Sequence, residues 1–104
     1  MAFSVRNLSL TRQRVSGSDV DWEISGEVAN DALYPGETER FAVTLYSEQI
    51  AAILAEPTNA LKRAKLREYV KPDAQDAYRR LRRRMQVVSA ADNLLDGVSY
   101  SEEE

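Results

Sequence analysis

The sequence predicts an α+β fold: a three-stranded antiparallel β-meander followed by three α-helices packed on one face of the sheet. Three observations lead there. Before Ser47 apolar and polar residues alternate and β-branched residues are common, whereas after it apolar residues recur at spacings of three and four. Turn chemistry falls where the alternation stops, at Ser16-Gly17-Ser18-Asp19 and again at Pro35-Gly36. Neither an internal repeat nor a low-complexity linker divides the chain, so residues 1–104 read as one domain. It comprises a meander over 1–46, a helical part over 47–97 and an acidic tail over 98–104.

The clearest strand is Val20-Asp21-Trp22-Glu23-Ile24-Ser25, in strict alternation, with Gly26 and Val28 continuing its apolar face. Phe41, Val43 and Leu45 repeat the pattern, with Arg40, Ala42, Thr44 and Tyr46 on the other side. A type II′ turn with Gly17 at its first central position joins the first strand to the second. That register sets Arg14 opposite Asp21, Arg12 opposite Glu23 and Val15 opposite Val20, pairings that cross-strand energetics favour. Carried further, it puts Leu8 and Leu10 on the charged face, so a bulge near Arg12 is expected to restore the phase.

Ser47 is placed to cap a short helix containing Ile50, Ile53 and Leu54 and ended by Pro57. Thr58 caps the next, through Leu61, Leu66 and Tyr69 to Val70, where Lys71-Pro72 interrupts it because proline disfavours helix in the residue before it. Asp73 starts a third, longer helix, and Asp96-Gly97 stops it with Gly97 just past its end.

The chain has 104 residues, 43% hydrophobic and 30% charged, with a formal net charge of −3, sufficient for one core and a wet surface. It contains no Cys and no His. Disulfides, thiolate nucleophiles, cysteine zinc sites and Ser-His-Asp or Cys-His chemistry are thereby excluded within a single chain. Only Lys62, Lys65 and Lys71 remain as lysines, with no Ser or Tyr beside one in an activating motif, and four scattered glycines make no phosphate loop. An enzyme is not expected, and neither is a cofactor. Asp19, Asp21 and Glu23 share a strand face, but the hairpin register already assigns two of them to arginines, so no metal site is expected. No apolar run approaches the length of a membrane span, and the first residues hold no apolar leader; the expectation is a cytoplasmic protein without a membrane partner.

Charge is distributed unevenly. Residues 62–84 carry ten basic and three acidic side chains, whereas residues 1–57 carry four basic and nine acidic. Arg79 stacks over Arg83 and Arg80 over Arg84 at helical spacing, away from an apolar stripe of Tyr78, Leu81, Met85, Val88 and Leu95. The sequence therefore points to a non-catalytic binding or inhibitor-type protein. Arg79, Arg80, Arg83 and Arg84, with Lys62 and Arg63, are its candidate site for an acidic macromolecular partner or anionic ligand. A nucleic-acid-binding protein using Lys62 to Arg84 is the alternative. The stripe further suggests a homo-oligomer formed through Leu81, Met85 and Val88.

Trp22 to Tyr46, about a quarter of the chain, resembles the strand–turn–strand segment of bacterial β-sandwich modules that read W-x-[VI]-x-G-x-V-x-N, here Trp22, Ile24, Gly26, Val28 and Asn30. The helical second half falls outside such a sandwich. In outline, a sheet followed by helices is similar to small phage proteins that sequester nucleotide signals, which implies a nucleotide-type ligand as a further alternative.

Overall fold

A computed structural model describes residues 3–103. Three strands, β1 (Ser4–Ser16), β2 (Asp19–Ala29) and β3 (Thr38–Leu45), form an antiparallel sheet in the order β1-β2-β3, followed by α1 (Ser47–Leu54) and α2 (Asn59–Leu95). The fold is α+β with two helices, not three. The chain is elongated, with extents of 71 × 31 × 17 Å, because α2 is 37 residues long and runs past the end of the sheet.

The hairpin joining β1 and β2 has the register its charges favour: Arg14 stands across from Asp21, Arg12 from Glu23 and Val15 from Val20. Gly17 has φ +62°, and Ser18 is not left-handed, the combination a type II′ turn requires. Further along β1 the register shifts twice, between Leu10 and Arg12 and between Arg6 and Ser9. The second shift contains Asn7 at φ 56°, a left-handed conformation that Asn tolerates better than most residues. The expected bulge next to Arg12 returns Leu8 and Leu10 to the face that carries Ile24 and Val28, and the second, at Asn7, keeps Val5 on that face opposite Val28. Tyr34-Pro35-Gly36-Glu37 closes the β2–β3 connection as a type II turn, with Gly36 at φ +75° and the Glu37 amide donating to the Tyr34 carbonyl at 3.1 Å.

Both helices lie on the face formed by the even-numbered residues of β2, and no second sheet faces the first among the described residues. Val28 and Phe41 pack against Val70, Ala74, Ala77, Tyr78 and Leu81 of α2, while Ile24 and Leu45 pack against Ile50 and Ile53 of α1. Val43 and Leu66 touch both clusters and join them into one core. Gly26 is needed at the centre of this face. A Cβ there would come within 2.7 Å of a Leu8 methyl and 3.0 Å of the Phe41 ring, side chains that close over the space glycine leaves.

Helix α2 corrects the prediction of a break at Lys71-Pro72 and a third helix from Asp73: it continues through Pro72. Proline in a helix interior removes one backbone hydrogen bond and costs about 3 kcal/mol. Pro72 is exposed on the solvent side, and the opposite face is buried on both sides of it by Val70, Ala74, Ala77, Tyr78 and Leu81. Burial of Val70 and Leu81 contributes about 3–6 kcal/mol together, and with Ala74, Ala77 and Tyr78 added the buried face outweighs the proline penalty. The two ends of α2 follow the sequence more closely. Thr58 Oγ1 accepts from the Leu61 amide at 3.1 Å, and Gly97, at φ +71°, follows the terminal Asp96.

Ser47 is not the cap of α1. Tyr46 occupies that position, with its amide donating to Gln49 Oε1 at 3.0 Å. Ser47 Oγ instead accepts from the Val20 amide at 2.8 Å and donates to the Val20 carbonyl at 3.1 Å, fastening α1 to the beginning of β2.

Candidate functional site

The arginines expected to form one site divide by environment. Arg80 and Arg84 fold down onto β3, where their guanidinium groups donate to the carbonyls of Arg40 at 3.2 Å and Thr38 at 2.8 Å. Glu39 meets both, at 3.4 Å from Arg80 and 3.3 Å from Arg84, and Glu37 lies 3.8 Å from Arg84. The two side chains close the outer edge of β3, whose carbonyls would otherwise be open to another strand. Arg79 pairs along the helix with Asp76. Arg83 lies on the exposed outer surface of α2. Lys62 and Arg63 sit at the other end of the helix, about 24 Å along its axis from Arg79 at ~1.5 Å per residue. The six side chains are therefore not brought together.

The stripe proposed for self-association divides in the same manner. Leu81 is fully buried (0% exposed) in the chain's own core and Met85 is half-buried against it, whereas Val88 is 46% exposed. Of these three, Val88 presents the most surface to a partner.

On the same face, at the other edge of the sheet, lies a surface the sequence did not single out. Helix α2 covers β2 and β3 and leaves the apolar side of β1 open: Val5 and Leu8 are each 40% exposed and Leu10 is 52% exposed. Between these strand residues and α2 runs a trough of about 330 Å³, with Phe3, Val5, Leu8, Val70 and Ala74 as its apolar walls. Arg67, Lys71 and Gln75 form its helical rim. A second hollow of about 240 Å³ continues it past Leu8 to Leu10, Trp22, Ile24 and Leu66. Lys71 and Arg82 are eleven residues apart, which returns the helix to within ~20° of the same direction, so the basic flank extends toward the sheet's end.

The upper end of the trough is held firmly. The Phe3 ring stacks on Tyr78 with centroids 4.5 Å apart. Tyr78 Oη accepts from the buried Asn30 amide at 2.9 Å, and Asn30 Oδ1 accepts from the Leu33 amide at 3.2 Å. One buried asparagine thus connects the β2–β3 loop, the helix and the start of β1. The signal that could have located the trough was present in part: Leu8 and Leu10 had no place in the simple hairpin register. Which strand the long helix leaves uncovered was not visible.

The polar face of the sheet is hydroxyl-rich and holds an open hollow of about 610 Å³ lined by Ser9, Thr11, Ser25 and Arg40 among others, with Thr11 Oγ1 3.2 Å from Ser25 Oγ and Asn7 Nδ2 donating to Glu27 at 2.7 Å. Among the described residues no group of three carboxylates is arranged to hold a metal ion, and no helix is long and apolar enough to cross a membrane. The chain matches no family model, no curated protein and no solved structure.

Proposed function

We propose that the protein is a non-catalytic binding protein whose working surface is the trough between β1 and α2, and that it engages an acidic, amphipathic segment of a protein partner. The observation that carries this reading is the uncovered apolar side of β1 beside a basic helix flank, with Leu8 and Leu10 open to solvent and Arg67 and Lys71 along the rim. Apolar surface of this kind, bordered by charge of one sign, is the pattern of an interaction site. An apolar face supplies affinity, and the cations select a partner carrying carboxylates. The reading keeps the acidic partner expected from the basic helix and moves the contact from its outer arginines to the flank facing β1. Arg80 and Arg84 are held against β3 by Glu39 and by backbone carbonyls.

Trp22 is the chain's single tryptophan and lines the hollow beside Leu10, so its emission reports occupancy. Titration with a synthetic amphipathic helix bearing leucines on one face and glutamates on the other is expected to shift Trp22 emission, with affinity falling as salt rises. Leu8→Glu and Lys71→Glu should each weaken binding at least tenfold, whereas Arg83→Glu should leave it unchanged. Loss of binding in Arg79→Glu/Arg83→Glu with full binding in Leu8→Glu would return the site to the outer arginine face.

A further inference from the structure

Residues 86–95 of α2 overhang the sheet. Arg84 reaches the carbonyl of Thr38, the first residue of β3, and every residue from Gln86 to Glu103 is exposed. This stretch has an apolar face of its own. Val87, Val88, Ala91, Leu94 and Leu95 fall within an arc of ~120°, while Gln86, Ser89, Asp92, Asn93 and Asp96 occupy the other side. Among the described residues nothing buries that face: Val87 is 64%, Val88 46%, Leu94 75% and Leu95 65% exposed. Nor does it prolong the buried arc of Val70, Ala74, Ala77 and Leu81. Its centre is turned ~70° from theirs, toward the side that carries Arg80 and Arg84, so it looks sideways on the β3 side rather than down at the plane of the sheet.

We propose that the overhangs of two copies pair through this face as a two-fold, antiparallel helix pair. The inference is independent of the trough, which lies on the β1 side of α2 and stays open in the dimer. Charge selects both the partner and the direction. Residues 79–84 carry five arginines and no acid, whereas residues 86–104 carry five acidic side chains and no basic one. Antiparallel pairing sets the acidic stretch of each copy against the arginines of the other; parallel pairing would set like against like. Arg83 has no ion pair or hydrogen bond among the described residues, so it is free to meet Glu102 and Glu103 of the other copy. The apolar face is also self-complementary. With the axis between Asp92 and Asn93, Ala91 packs on Leu94 of the other copy and Val88 lies beside Leu95, each contact occurring twice. The axis lies ~13 Å along the helix beyond Arg84, past the end of the sheet. Corresponding ends of the two sheets are then ~25 Å apart along that direction, with room for both β2–β3 loops, and the second helix runs level with the first rather than in the plane of the sheet. The two Asp92 carboxylates stand about 8–10 Å apart in solvent and oppose pairing only weakly. Three turns of helix bury less than the ~800 Å² per partner of a standard interface, so the acidic segments laid over the arginines complete the contact.

The test is mass by light scattering of the full chain at tens of micromolar, with folding checked by circular dichroism and Trp22 emission. The wild-type chain is expected at twice the chain mass. Leu94→Glu, at one of the most exposed apolar positions, should be a folded monomer, whereas Leu8→Glu in the trough should stay dimeric. Glu102→Lys/Glu103→Lys should weaken the dimer at least fivefold at low salt. Because the chain has no cysteine of its own, direction can be read by cross-linking. Oxidation should join the Val88→Cys and Leu95→Cys variants when they are mixed, and leave each unlinked when alone. A monomeric wild type, a Leu94→Glu variant that stays dimeric, a Leu8→Glu variant that becomes monomeric, or Val88→Cys linking to itself overturns the inference. Binding of the acidic amphipathic peptide by the Leu94→Glu monomer tests the trough separately, so either reading can fall without the other.

Discussion

The two edges of this sheet are treated in opposite ways. At β3 the helix sits directly over the strand, Phe41 and Leu45 are buried, and Arg80 and Arg84 reach over the edge to bond its carbonyls. At β1 the strand is longer, 13 residues against 8, yet Val5, Leu8 and Leu10 keep 40–52% of their surface exposed. No helix arginine reaches the β1 edge; that strand instead carries two register shifts, at Asn7 and Thr11, which bend an edge and impair pairing with another strand. The difference separates two tasks: β3 and α2 make the stable body of the molecule, and β1 presents surface. Strand addition is discouraged at both edges, so docking at β1 proceeds through side chains on its face rather than through its backbone.

The largest expected contrast is between Leu81 and Leu10. Leu81→Ala removes a fully buried side chain and should cost about 2–5 kcal/mol, whereas Leu10→Ala on the open side should cost less than about 1 kcal/mol. Urea unfolding followed by Trp22 fluorescence measures both. Equal losses would mean that β1 is covered as tightly as β3 and would remove the basis of the comparison.

Gly26 lies between the two regions, with Leu8 on one side and Phe41 on the other. Gly26→Ala should cost about 1–3 kcal/mol, because the added methyl presses on the buried Phe41 ring as well as on the half-exposed Leu8. Restoring stability by adding Leu8→Ala would show that the open side absorbs the strain; failure to restore it would place the strain at Phe41.

A smaller effect divides the arginines. Arg83→Glu should change stability by no more than about 0.5 kcal/mol, because its side chain is on the outer surface of the helix. Arg80→Glu removes a bond to the Arg40 carbonyl and sets a carboxylate beside Glu39, and should cost about 1 kcal/mol more in thermal unfolding. If the two variants melt together, the arginines over β3 contribute nothing beyond a solvated surface.

Local chemistry in the sequence was sufficient for the strands, the Gly17 and Gly36 turns, the charge-paired hairpin register and the two ends of α2, because each depends on neighbours within a few residues or on one tight turn. Pro72 shows where local chemistry stops. The preference to break the helix is real and amounts to about 3 kcal/mol, but it is outweighed by apolar contacts with Val28 and Phe41, which lie about 45 and 30 positions earlier in the chain. The arginines show the same limit. Their spacing on one helix was legible, but Glu39, which draws Arg80 and Arg84 to β3, is supplied by a strand 41 and 45 positions away. The trough belongs wholly to tertiary structure. Leu8 and Leu10 read as apolar residues out of phase, and the expected bulge next to Arg12 returned them to the core face. Only the lateral placement of α2 over β2 and β3 left them open, because a single helix about 10 Å wide cannot cover three strands spaced ~4.8 Å apart.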